Sequence, residues 1–219
     1  MQRSLQTRRT MFAFAVSALL AGRVVMAAAP GVGAQEHPLP LPTTLSHLDY
    51  EKQLFPFIQS RAYATTLGWS HDKRVRDTGA YIKGKYYGTH PAVRCFYSPK
   101  VMYWLTGDPA FWPEGQAAGL APPKPPRAGA IPDGGMIIKE MLPPPAARYE
   151  GMSEDELLAV LRLPTSAGSD VMIKDSAGSP DGWFWASVYP GQKADTPDSF
   201  AYPQAGFSLA CVRCHSVAQ

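Results

Sequence analysis

Residues 135–142 read Gly-Met-Ile-Ile-Lys-Glu-Met-Leu and follow the turn Pro132-Asp133-Gly134. Their length, their branching and the turn chemistry ahead of them predict a strand. On such a strand Ile137, Lys139 and Met141 share one face, and Met136, Ile138, Glu140 and Leu142 share the other. Each face then carries apolar groups around one charge. Outward from this segment, residues 92–97 (AVRCFY), 170–175 (DVMIKD) and 183–189 (WFWASVY) predict further strands. The turn-rich residues 176–182 between the last two predict an antiparallel hairpin. A helix is expected over 153–163, where Ser153 and Glu156 form a capping box ahead of Leu157, Leu158 and Leu161. A short one is expected over 99–105, with Pro99 at its first position. Residues 44–67 have helical character interrupted by Pro56. The expected fold class is α+β, a mostly antiparallel β-sheet core with short helices, the last of them over 207–218.

The chain has 219 residues, 45% of them hydrophobic and 18% charged, with 22 prolines and 19 glycines. That composition excludes collagenous, coiled-coil and wholly disordered chains and allows one good-sized domain or two small ones. Four of the 21 basic residues (Arg3, Arg8, Arg9, Arg23) lie in the first 34 positions, leaving 17 against 18 acidic ones. The body of the chain is close to neutral, so no nucleic-acid partner is expected.

Residues 1–34 read as a secretory signal peptide: an arginine-bearing start, the apolar run 11–22 (MFAFAVSALLAG) and small residues permitting cleavage after Ala29 or Ala34. The run is well short of the roughly 20 residues of a membrane-spanning helix. Residues 35–219 are then a single exported domain, and the expected location is the periplasm. The competing reading is an uncleaved anchor. Residues 108–132, dense in proline and glycine, read as a surface excursion.

Three cysteines occur, and two belong to Cys211-Val212-Arg213-Cys214-His215, the pattern of c-type haem (heme c) attachment. Two thiols at this spacing can each add to one vinyl group of a porphyrin, while His215 becomes the proximal iron ligand. Structural zinc and a redox disulfide compete with this reading. Zinc wants four ligands, and the chain has no second cysteine pair. Redox C-x-x-C motifs usually follow a strand near the start of a βαβ pattern. One covalent haem is therefore the expected cofactor, in keeping with export. Because only four residues follow His215, any sixth ligand is expected from upstream or not at all. Cys95 is expected to be a buried inert thiol, with a pairing to another chain as the alternative.

An arginine-bearing strand (Val93-Arg94-Cys95-Phe96-Tyr97), the block Pro132-Asp133-Gly134-Gly135-Met136-Ile137-Ile138-Lys139, the block Met172-Ile173-Lys174-Asp175, then Asp181-Gly182-Trp183 and a near-terminal C-x-x-C-H succeed one another over about residues 90–215. In order and spacing these motifs resemble the cytochrome P460 family. The resemblance implies a mostly antiparallel β fold, one c-type haem, usually a homodimer, and an iron without a distal protein ligand that meets hydroxylamine or nitric oxide. Catalytic members link a lysine to the porphyrin; the related cytochrome c′-β members lack the link and bind small gases. The proline-rich loop before P-D-G is longer than the family pattern and the tail after His215 is shorter.

The resemblance points to Lys139 as the cross-linking residue, with Lys174 as runner-up and a solvated sheet margin as the alternative for Lys139. Arg94 resembles the distal-pocket arginine, with a solvated edge arginine as its alternative. Glu140, Asp170 and Asp175 are the candidate proton-handling carboxylates. His47, His71 and His90 are possible sixth ligands, as are Met102, Met136, Met141 and Met172, although such side chains are more often surface or core groups. Trp183 and Trp185, flanking Phe184, are expected in the core and in the wall of a haem pocket. The expectation is a hydroxylamine or nitric oxide oxidoreductase served by a soluble redox partner such as another c-type cytochrome. The alternative is an electron-transfer or gas-binding module without turnover.

Overall fold

The computed structural model describes residues 34–111, 131–194 and 205–207. Most of the signal-peptide reading, the greater part of the proline-rich excursion and the whole of the C-x-x-C-H motif lie outside the described residues.

A six-stranded sheet runs through the domain in the order β1 (Ser70–His71), β4 (Ala92–Tyr97), β5 (Met136–Leu142), β6 (Ser169–Lys174), β7 (Trp183–Val188) and β8 (Ala205–Gly206), every neighbour antiparallel. The predicted strands fall where expected to within a residue or so at each end. Residues 176–182 join β6 to β7 as an antiparallel hairpin. A second, two-stranded sheet pairs β2 (Tyr81–Ile82) with β3 (Lys85–Tyr86). The two-residue strands β1, β2, β3 and β8 were not expected, because a run that short shows no alternation to read.

The helical stretch over 44–67 divides into α1 (His47–Ser60) and α2 (Ala62–Thr65), and Arg61 breaks it with a left-handed φ of 54°. Pro56 does not end α1. It sits on the exposed side of the helix, as does Lys52 one turn earlier, so the carbonyl that loses its amide partner faces water. Helices α3 (Pro99–Thr106) and α4 (Glu154–Leu161) appear as read, and Ser153 and Glu156 make the reciprocal bonds of the capping box. No described helix is long and apolar enough to cross a membrane.

Tyr50, Leu54, Phe57 and Ile58 on α1 pack against Phe96, Ile138, Val171, Ile173 and Phe184 of the sheet. The alternation of β5 dictates this burial: Met136, Ile138, Glu140 and Leu142 are all fully buried on the α1 side. A smaller cluster of Val75, Leu142, Tyr149, Leu157 and Leu161 seats α4 at one end of the sheet. On the other face Tyr97, Ile137, Lys139, Asp170, Met172, Trp183 and Ser187 are only half-buried.

Candidate functional site

The half-buried face carries a row of polar side chains across four strands. Cys95 on β4 stands opposite Lys139 on β5, Lys139 opposite Asp170 on β6, and Asp170 opposite Ser187 on β7. Lys139 Nζ lies 2.7 Å from Asp170 Oδ2, and the Ser187 hydroxyl donates to Asp170 Oδ1 at 2.7 Å. The His90 ring nitrogens are 3.3 and 3.4 Å from the same Nζ. Lys139 therefore occupies an interior strand of the sheet with its side chain 17% exposed, and does not sit at a solvated margin. The directly paired residues Ile137, Met172 and Trp185 border the row with an apolar band, and Trp183 adjoins it. Cys95 is buried, and burial pushes its thiol pKa upward.

Arg94 and Glu140 belong to the opposite face. There Glu140, fully buried, receives Arg61 Nε on Oε1 at 2.5 Å and Arg94 on Oε2 at 3.1 Å, while the Tyr63 hydroxyl donates to Oε1 at 2.8 Å. Glu154, at the start of α4, closes the cluster: Arg94 meets both its oxygens at 2.7 and 2.9 Å, and Arg61 reaches Oε2 at 3.0 Å. Two guanidinium groups thus face two carboxylates. Burial alone would make each arginine a stronger acid, but the carboxylates overcome it and hold both guanidinium groups above their ordinary pKa. The Tyr63 hydroxyl is raised by burial and by Glu140. Hydrogen bonds from Arg94 outweigh desolvation at Glu154 and hold its pKa down at about 2. The side chains of this cluster bond chiefly to one another, with Arg94 Nε left buried without a hydrogen-bond partner among the described residues, and together they join α2, β4, β5 and α4.

The candidate residues are therefore divided. Lys139 and Asp170 meet; Arg94 and Glu140 meet; the thickness of the sheet separates the two pairs. Arg94 is neither a solvated edge residue nor a neighbour of Lys139, because residues 94 and 140 are register partners on one face and 95 and 139 on the other. Lys174 is buried, and its Nζ donates to the Asp181 carbonyl at 3.1 Å, 5.2 Å from the Trp183 ring. Asp175, also buried, accepts from the Thr43 amide at 2.8 Å and anchors the segment before α1. Among the proposed axial ligands, His47 lies against Phe184, His71 is exposed beside Phe96, and Met136 is in the core. His90, Met141 and Met172 are the ones that share the face of Lys139. Trp183 and Trp185 share the half-buried face at a ring separation of 6.4 Å, while Phe184 points into the core.

Arg61, Tyr63 and Glu154 escaped the sequence reading. Glu154 was visible only as first-turn acid on α4, and nothing local marks Arg61, whose reach to Glu140 depends on its left-handed backbone. Among the described residues no group of three or more histidine, cysteine or acidic side chains could hold a metal ion. Comparisons with protein families, with curated proteins and with solved structures found no match.

Proposed function

We propose that the chain is an exported, monohaem c-type cytochrome of P460 type whose open iron site acts on hydroxylamine or nitric oxide. The observation that carries the reading is Cys211-Val212-Arg213-Cys214-His215. In this proposal Cys211 and Cys214 hold the porphyrin and His215 is the proximal iron ligand. The haem, when bound, supplies the redox-active iron. An antiparallel sheet with short helices agrees with the fold that the resemblance implies. The half-buried face supports it further: an apolar band of Ile137, Met172, Trp183 and Trp185, bordered by the Lys139–Asp170 pair and by Lys174 beside Trp183, suits a flat, largely apolar macrocycle.

In this reading Asp170 orients Lys139, and Ser187 holds Asp170 in place. Arg94 and Glu140 have a structural part and keep the sheet and α4 together. A periplasmic location, a homodimer and a soluble redox partner such as another c-type cytochrome belong to the same proposal.

The ion pair between Lys139 and Asp170 favours a second reading. A porphyrin link needs the lysine side chain free to reach the macrocycle, and here Asp170 Oδ2 holds its Nζ at 2.7 Å. The protein is then a gas-binding or electron-transfer relative without the cross-link. Both readings require covalent haem, and one experiment tests that requirement. Protein produced with a working haem-maturation system is denatured and extracted with acid-acetone, and the haem is expected to stay with the polypeptide. Complete extraction overturns both. Ferric and ferrous absorption spectra separate them: a red-shifted ferrous band marks the lysine link, and an ordinary five-coordinate c-type spectrum marks the gas binder.

A further inference from the structure

Between β1 and β4 residues 72–91 form an excursion that stays bonded to β4 at Asp72 and Arg76 and then turns through the small hairpin β2–β3. The excursion holds five basic residues, Lys73, Arg74, Arg76, Lys83 and Lys85, against Asp72 and Asp77. Both acids are engaged on the inner side. Asp72 accepts from the Cys95 amide and the Tyr97 hydroxyl and pairs with Arg76, while Asp77 accepts from the Ala146 amide. Arg76 pairs with Asp72, and Lys73 and Arg74 line a cavity with Glu150 and Glu154, so the basic excess is at the hairpin tip, where Lys83 and Lys85 are exposed, although the body of the chain is nearly neutral. The even charge expected from composition conceals this local excess.

The tip of the hairpin is also apolar. Tyr81, Ile82 and Tyr87 are 42%, 55% and 56% exposed. They are held out by a rigid support. Lys83 and Gly84 both have positive φ, 51° and 78°, as a two-residue primed turn requires. The Tyr86 hydroxyl accepts from the Thr78 amide at 2.9 Å and donates to the His90 carbonyl at 2.8 Å, pinning the base of the hairpin. The Tyr81 and Tyr86 rings lie 5.0 Å apart, tilted by 41°. Tyr81 contributes to that bracing through Tyr86 and Asp77, whereas Ile82 and Tyr87 stay more than half exposed.

We propose that the β2–β3 hairpin docks the protein on an anionic membrane surface, with Ile82 and Tyr87 entering the headgroup boundary and Lys83 and Lys85 facing lipid phosphates. Aromatic and aliphatic side chains beside lysines are the composition that lies at a bilayer interface, where apolar burial and attraction to anionic lipid act together. A second copy of the chain fits less well, because a twofold contact at this tip would set Lys83 and Lys85 against their own counterparts. The inference does not depend on haem.

Co-sedimentation of the full mature chain with vesicles tests it. Binding is expected to vesicles of equal phosphatidylglycerol and phosphatidylcholine, to weaken with salt, and to be slight with phosphatidylcholine alone. Neutralising either lysine should cost roughly fivefold. Lys83→Gln/Lys85→Gln and Ile82→Ser/Tyr87→Ser should each weaken binding, with unchanged circular dichroism showing an intact fold. Equal binding to both vesicle types, no binding at all, or undiminished binding by either double variant overturns the proposal. Loss in the lysine variant alone would mark a purely electrostatic contact, as with an acidic protein, and also overturns insertion.

Discussion

Lys139 and Glu140 are bonded neighbours whose side chains leave opposite faces of the same sheet. One ends 2.7 Å from Asp170 on the half-buried face, and the other is fully buried between Arg61 and Arg94. The pleat of one strand thus assigns two adjacent charges to two tasks, one at the candidate site and one in the core.

Replacing the buried charge should be costly. Glu140→Gln leaves Arg61 and Arg94 with a single carboxylate, Glu154, and we expect a loss of about 3–5 kcal/mol in unfolding free energy by urea titration. A loss below about 1 kcal/mol would show that Glu154 alone can balance both guanidinium groups.

Acid should loosen the same cluster in a defined window. The folded-state pKa of Glu154 is held at about 2, below the usual carboxylate value near 4.5. In between, the unfolded chain binds the proton more readily than the folded one. The contribution of Glu154 is therefore fully present above that usual value and is lost as pH falls through the window towards 2. Urea midpoints measured between pH 6 and pH 2.5 should fall less steeply in Glu154→Gln than in the wild type. Parallel curves would remove Glu154 as a source of acid sensitivity.

The candidate site can be altered without unfolding the protein. The pair of Lys139 and Asp170 is partly solvated, with side chains 17% and 25% exposed, so Lys139→Leu is expected to cost about 1 kcal/mol or less. In the haem-loaded protein the same change should turn a red-shifted ferrous spectrum into an ordinary five-coordinate one and abolish hydroxylamine oxidation while sparing nitric oxide binding. A wild-type spectrum that is already ordinary, with Lys139 unmodified by peptide mapping, decides for the gas-binding reading.

Helix α4 should depend on its cap. Ser153 accepts from the Glu156 amide at 3.3 Å, and Glu156 accepts from the Ser153 amide at 2.7 Å. Ser153→Ala should cost about 1 kcal/mol and hasten amide exchange in the first turn of α4. Unchanged exchange there would mean that Glu154, held by two arginines, fixes the helix start without the cap.

Local pattern determined the four long strands, the β6–β7 hairpin, α3 and α4, because each carries its own signal: alternation, turn residues, proline at a first position, a capping box. The same alternation sorted Lys139 from Glu140. It could not name their partners. Which strand lies beside β5, and in what register, depends on contacts between residues far apart in sequence, and a shift of one residue would carry Arg94 to the other face. Tertiary structure alone decided that Asp170 meets Lys139, that Arg61 turns through a left-handed residue to reach Glu140 79 positions away, and that Glu154 closes the cluster. It also set Lys83 and Lys85 beside the exposed Ile82 and Tyr87 at the hairpin tip, a local excess that composition averaged away. A sequence states the preferences of each segment, whereas the pairing of charges is a property of distance, and only folding sets distances.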